Sequence, residues 1–142
     1  MHVLLSGAVG MLFSALVLAW IATLAKLIVV RPIQALIKDY GSLIRAHIDL
    51  LLMSLLCLTI YAVRIPVPTA ACWMVVIGGF TNPSLFLLRA LNPEAPIPWR
   101  RQAFRLFSFV TTTAGFGWVG CSLLRADPIA VAAIAIEPRR AP

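Results

Sequence analysis

The sequence predicts an all-α integral membrane protein, a four-helix bundle that forms one domain over residues 1–142. Two observations lead to this fold class: an extreme composition and four apolar runs of membrane-spanning length. Apolar residues make up 61% of the chain and charged residues 12%, whereas soluble domains are roughly 45–50% apolar. A soluble domain of this size has too much surface to hide so many apolar side chains. This composition excludes a disordered chain, a nucleic-acid-binding module and a disulfide scaffold.

The first apolar run covers about residues 3–30 and is interrupted only by Lys26. It differs from a signal peptide because no Lys or Arg precedes it and because it is about twice as long as a normal apolar signal core. A helix needs about 20 apolar residues to cross a bilayer. Lys26 lies near the end of the run, where its ammonium group can reach the interface.

Three further runs, at about residues 44–63, 69–88 and 104–124, have similar lengths and are each followed by an arginine. A backbone in lipid must satisfy its own hydrogen bonds, so each run should be helical. None shows the period-two alternation of a membrane β-barrel.

The segments that connect the runs differ in character. Residues 31–45 predict a short amphipathic helix lying in the interface, with Pro32 at its start and Gly41 at its end. Residues 89–103 contain three prolines within six positions, and we expect an extended loop closed by the Trp99-Arg100-Arg101 cluster. The tail from Asp127 is too short and too weakly apolar for a fifth span.

Basic residues predict the orientation in the membrane. The net charge is +7, and eight basic residues flank or lie within the first and third connections, against two to four on the other side. By the positive-inside rule, residues 31–45 and 89–103 are cytoplasmic and both termini are outside. We expect a bacterial inner membrane as the location, with the lipid bilayer as the chain's solvent.

Small residues recur at helical spacing and predict faces where helices approach closely. They are Ser6, Gly10 and Ser14 in the first span, Gly78 and Gly79 in the third, and Thr113, Gly117 and Cys121 in the fourth. Four spans enclose little volume, so a homo-oligomer is expected. The three cysteines form no CxxC motif and are interpreted as small core residues.

Two ionisable residues, His47 and Asp49, stand in the first turn of the predicted second span. Arg45 and Asp49 are four residues apart and can form an interfacial ion pair that anchors the helix end. His47 points about 200° away from Asp49. It is either a simple interfacial histidine or an axial ligand to a haem or another metal. The dispersed cysteines and the lack of a carboxylate–histidine pair at helical spacing argue against zinc and di-iron sites.

The polar feature of the third span is Thr81-Asn82-Pro83-Ser84. Proline frees the carbonyl group of Gly79 and opens a polar notch beside Asn82. This helix is either a kinked packing element or the source of a ligand contact by Asn82. Asn82 and His47 lie within one or two turns of the same depth, which suggests a single site.

Around these residues the sequence resembles a small four-span family, the styrene oxide isomerases and the related hydroxylaminobenzene mutases. The likeness rests on Arg45-Ala46-His47, on Asn82 followed by Phe86-Leu87, and on Asn92-Pro93. Asp49 is more like the mutase branch. The resemblance covers about residues 45–93 and the four-span plan.

The resemblance implies a membrane trimer that binds b-type haem between subunits, with His47 as the metal ligand and Asn82 as the catalytic residue of the pocket. It further implies that the iron acts as a Lewis acid on an epoxide of a small apolar molecule. At three positions where the family has polar groups that hold the substrate, this chain has Met53, Phe86 and Gly78. These three residues and Asp49 are the further candidates for lining the pocket. Haem binding is therefore better supported than isomerisation, and a non-enzymatic membrane protein without cofactor is the alternative.

The orientation can be tested by cysteine labelling in intact cells. In a cysteine-free background, a Glu94→Cys variant should resist a membrane-impermeant maleimide because the basic connection that holds it is cytoplasmic. An Arg64→Cys variant on the opposite side should react. Ready labelling at position 94 would show that the orientation is the reverse of the predicted one.

Overall fold

The computed structural model describes residues 2–28, 30–64, 66–94 and 98–126, and every regular element within these ranges is helical. Four of the five helices are long and apolar enough to cross a membrane, which confirms the all-α, four-span fold class. In chain order the helices are α1 (His2–Lys26), α2 (Arg31–Leu36), α3 (Tyr40–Val63), α4 (Thr69–Leu91) and α5 (Trp99–Arg125). The predicted properties of the tail from Asp127 lie outside the described residues.

The helix ends differ from the predicted spans because local caps, not hydropathy, set them. Helix α1 ends at Lys26, since Pro32 in the first turn of α2 starts a new helix shortly afterwards. Helix α3 begins at Tyr40 because the carboxylate of Asp39 accepts the Ser42 N–H at 3.1 Å. Gly41 therefore lies within the first turn of α3 and does not end α2. The interfacial helix is only six residues long.

The predicted extended loop over residues 89–103 is shorter than expected. Helix α4 continues through Pro83 to Leu91, and α5 begins directly after Pro98. Proline fits immediately before a helix because its missing N–H is not needed there. The Trp99-Arg100-Arg101 cluster is thus the first turn of α5.

Helix α3 packs against α1 on one side and α4 on the other, and α4 contacts all three other spans, α1, α3 and α5. Helix α5 packs chiefly against α4. Apart from Gly7, which lies against α4, the buried residues of α1 alternate at spacings of four and three: Leu4, Ala8, Met11, Ala15, Leu18, Ala22 and Ala25. This is the heptad pattern of an antiparallel coiled-coil seam, and alanine at every second position lets α3 approach closely.

The close approaches use only some of the small residues that the sequence singled out. Gly78 and Gly79 are buried against neighbouring helices, as predicted. In α1, the predicted residue Gly10 also packs closely, because an added Cβ would lie 3.2 Å from the Phe80 ring of α4. The tightest contact of α1 is instead at Gly7, where an added Cβ would lie 2.5 Å from a Val76 methyl group. Ser6 is exposed, so the predicted face of α1 is correct at Gly10 and wrong at Ser6.

The three small residues of α5 that the sequence singled out do not pack against α4. Thr113, Gly117 and Cys121 are all exposed, and nothing within the described residues comes within 4 Å of a Cβ built on Gly117. Contact with α4 is made instead by buried Ser108, Thr111, Gly115 and Val119. Two cysteines, Cys57 and Cys72, are buried as expected, whereas Cys121 is exposed.

Two glycines of α5 make a matched test of this packing. An added Cβ at Gly115 would lie 2.9 Å from the backbone nitrogen of Val75, so Gly115→Ala should force α4 and α5 apart and cost about 1–3 kcal/mol. Gly117→Ala has open space around it and should be neutral or stabilising by up to about 1 kcal/mol. Thermal unfolding in detergent measures both, and an equal loss in the two variants would contradict the observed face.

Candidate functional site

The imidazole of His47 is held by the backbone of α1. Its Nδ1 lies 2.8 Å from the carbonyl oxygen of Ala15, and the side chain is half-buried. A carbonyl oxygen can only accept a hydrogen bond, so Nδ1 carries the proton. In the neutral ring, Nε2 then holds the free lone pair. Histidines that bind metals through one ring nitrogen usually have the other one fixed by a bond of this kind.

A second hydrogen bond of the same kind lies one heptad further along the seam. The hydroxyl group of Ser54 donates to the carbonyl oxygen of Ala8 at 2.8 Å. The two α3 donors are seven residues apart, and so are the two α1 acceptors. His47 therefore also donates one of the two side-chain hydrogen bonds that join α3 to α1. This structural role requires no bound ligand.

Asp49 faces the opposite neighbour, α4. The amide nitrogen Nδ2 of Asn82 donates to its Oδ2 at 2.9 Å. The predicted ion pair between Arg45 and Asp49 is not formed. Arg45 is exposed, and the ion pair found within the described residues joins Asp39 to Arg89 at 3.8 Å. Asp49 prefers Asn82 because it lies on the α4 side of α3, where a neutral donor at the same depth is within reach.

The first turn of α3 and the last turn of α4 are tied together at Asp39. Its carboxylate accepts the hydroxyl group of Ser42 at 2.7 Å, and the N–H groups of Lys38 and Asp39 both donate to the Ala90 carbonyl at the end of α4. The bonds from the Ser42 hydroxyl and N–H, together with the nearby Arg89, hold the pKa of Asp39 below its ordinary value of 3.8. Asp39 is thus ionised at neutral pH.

A cleft of about 810 Å³ opens between the last turns of α4 and the first turns of α5. Asn82 and Phe86, both predicted site residues, line it. Three arginines also line it, Arg89, Arg101 and Arg105, which in the sequence alone served only as markers of orientation. The spacing of Arg101 and Arg105 by four residues was a usable signal, because such residues share a helix face once α5 is known to begin at Trp99.

The remaining predicted pocket residues serve helix packing. Met53 is only 5% exposed, and its terminal methyl carbon lies 3.5 Å from a Cβ built on Gly79. Gly78 contacts Thr112 of α5 so closely that any added Cβ would collide with its backbone. A further polar contact joins the same two helices, from the hydroxyl group of Thr81 to that of Ser108 at 2.9 Å. Neither Met53 nor Gly78 lines a described cleft.

His47 and Asn82, which the sequence placed in a single site, do not share a hydrogen-bond partner within one chain. His47 is bonded to α1, while Asn82 is bonded to Asp49 and lines the cleft beside α5. A second, apolar cleft of about 390 Å³ between α1 and α4 includes neither residue. The described residues contain no group of three or more His, Cys, Asp or Glu arranged around a common point, and a haem ligand does not require one.

Comparison of the chain with protein-family models, with curated proteins and with solved structures finds no significant match in any of the three.

The bond between Asp49 and Asn82 can be tested by substitution. Removing the acceptor with Asp49→Ala should destabilise the protein by about 1 kcal/mol, as for other interhelical hydrogen bonds in membranes. Asp49→Asn should cost less because its amide oxygen can still accept from Asn82. Unfolding of the purified protein in mixed micelles gives these values.

Arg45→Ala is the control for the same experiment. It should change stability little, because Arg45 is exposed and outside this hydrogen bond. A loss as large as that of Asp49→Ala would restore the ion-pair interpretation.

Proposed function

We propose that the chain is an integral membrane protein that binds b-type haem through Nε2 of His47 and acts on a small apolar molecule, in the manner of the isomerase–mutase family that it resembles. The observation that carries the proposal is the hydrogen bond from Nδ1 of His47 to the Ala15 carbonyl. It fixes the tautomer that leaves Nε2 able to bind iron.

The surroundings of His47 fit a planar apolar group. Exposed leucines lie within one turn of the hydrogen-bonded pair on both helices: Leu12 and Leu16 beside Ala15, and Leu51 one turn from His47. The other histidine, His2, is the first residue of α1. It is thirteen residues from Ala15, which is about 20 Å along that helix, so it cannot bind the same iron as His47 within one chain. His47 would thus be the residue of this chain that holds a haem iron, and the iron would supply Lewis-acid chemistry to another bound molecule.

The same geometry supports an oligomer. His47 lies at the α1 side of α3 and lines neither described cleft, so a haem bound to it would extend over the outer surface of a single bundle. A neighbouring copy could cover that surface with the cleft that contains Asn82 and Phe86. This arrangement, a trimer if the resemblance holds, would bring together the two residues that one chain keeps apart.

Each residue then has a distinct role. His47 binds the iron, and Phe86 provides apolar contact for a molecule that enters from the bilayer. Asn82 lines the cleft as the catalytic candidate, and Asp49 is a positioning residue whose carboxylate fixes the amide of Asn82. The bound iron would supply a Lewis acid for an oxygen atom of the substrate. We place the chain in a bacterial inner membrane with its basic connections in the cytoplasm.

One observation favours a second candidate, a non-enzymatic membrane protein without cofactor. The bond from Ser54 to Ala8 repeats the His47 interaction one heptad away, with a side chain that binds no haem. On this interpretation His47 only joins α3 to α1.

Three variants separate the two candidates. His47→Asn can keep a donor near the Nδ1 position while it removes the Nε2 lone pair. The purified wild-type protein should show a Soret band, which His47→Asn and His47→Ala should lose while remaining helical. Ser54→Ala, which removes the equivalent hydrogen bond without touching an imidazole, should keep the band. Absorption and circular dichroism spectra in detergent give both readouts.

A colourless wild-type protein, after expression with sufficient haem supply, would favour the non-enzymatic candidate. An unshifted band at full occupancy in His47→Asn would reject His47 as the ligand.

A further inference from the structure

The cleft between α4 and α5 has a polarity that matches one leaflet of a bilayer. At its cytoplasmic end stand the guanidinium groups of Arg89, Arg101 and Arg105, and at its inner end the walls are apolar apart from Asn82. Arg89 lies seven residues beyond Asn82 on α4, which is about 10 Å along the helix axis. The charged end is therefore at the predicted membrane interface, and the apolar end is within the hydrocarbon.

The three arginines leave the cleft with a strong excess of positive charge. Asp39 pairs with Arg89 from outside the cleft, and none of the described residues that line the cleft is acidic. Within the described part of the chain, Arg101 and Arg105 form no ion pair. Two guanidinium groups one helical turn apart can both bind the same phosphate, since each offers several N–H donors in a planar fork.

The outer wall of the cleft continues onto an apolar surface. Leu106 and Phe109 line the cleft and are 64% and 68% exposed. In a membrane these side chains contact acyl chains. A ligand that fills the cleft and this surface together must carry a negative head at one end and hydrocarbon at the other.

We infer that this cleft is a binding site for one anionic phospholipid, with its phosphate between Arg101 and Arg105 and its acyl chains on Leu106 and Phe109. Basic pockets between membrane helices on the cytoplasmic side are the usual sites for such headgroups. The inference rests on residues of α4 and α5 alone and does not require His47 to bind haem. Asn82 and Phe86, which the proposed function uses, line the inner part of the same cleft, away from Arg101 and Arg105.

Native mass spectrometry of the full chain in a neutral detergent tests the site. The protein is titrated with phosphatidylglycerol and, separately, with phosphatidylcholine that has the same acyl chains. The test variant is Arg101→Gln/Arg105→Gln. The control is Arg45→Gln/Arg100→Gln, which removes the same charge at the same end of the bundle from two exposed residues that do not line the cleft.

We expect one phosphatidylglycerol to be retained per chain and phosphatidylcholine to be lost. Each arginine near a membrane surface strengthens anion binding about fivefold, so the test variant should bind roughly 25-fold more weakly and the control should match the wild type. If the double variant fails to fold, Arg105→Gln alone should weaken binding about fivefold, because Arg105 is exposed and tolerates substitution.

Three results would overturn the inference. Equal retention of the two lipids would show that charge has no part in binding. An equal loss in the control variant would show a dependence on net charge alone. Displacement of phosphatidylglycerol by the same concentration of glycerol phosphate would show a site for a free anion, with no contribution from the acyl chains.

Discussion

The bundle depends on three hydrogen bonds that link side chains of α3 to other helices and satisfy these polar groups where the membrane interior offers no water. His47 and Ser54 bond to backbone carbonyls of α1, and Asp49 accepts from Asn82 of α4. Each bond goes to one neighbour only. Together they fix the rotation of α3 about its axis, and the apolar heptads of α1 then fix how closely it packs.

Helix α5 is joined to its neighbour by fewer side-chain hydrogen bonds than α3 among the described residues. One hydroxyl–hydroxyl bond, from Thr81 to Ser108, joins it to α4, and a smaller share of α5 is buried than of any other span. Its contact with α4 therefore depends on close packing, because Gly115 lies directly against the backbone of α4. The cleft forms where this close contact ends. Between Ser108 and the start of α5, larger side chains including Phe86 and Arg105 replace the small ones and line the cleft.

The sequence was sufficient for the four spans because their length and apolarity reflect the bilayer and not the partners of each helix. It was insufficient wherever a residue's role depends on its neighbour. The pairing of Arg45 with Asp49 is allowed by helical spacing but lost to Asn82, which is 33 positions away from Asp49. The face predicted for α1 was right only in part: Gly10 packs against Phe80 of α4, whereas the seam with α3 is built of alanines and Gly7 makes the closest contact with α4. The cap at Asp39 could have been recognised from Ser42 three residues later.

The positions of His47 and Asn82 connect the fold to the proposed function. Depth along the bilayer was predictable, since a helix rises a fixed distance per residue, and the bond between Asp49 and Asn82 places α3 and α4 in register near that level. The neighbour that each residue contacts depends on the direction in which its side chain points around the helix axis. Two residues of α3 separated by one position face different neighbours, so His47 and Asp49 divide the site between the two sides of α3. If the chain binds haem as proposed, the iron at His47 would lie toward α1 and the cleft that contains Asn82 toward α5. A second copy of the chain would then bring an Asn82 side chain to that iron, so on this proposal haem binding and oligomer formation should occur together.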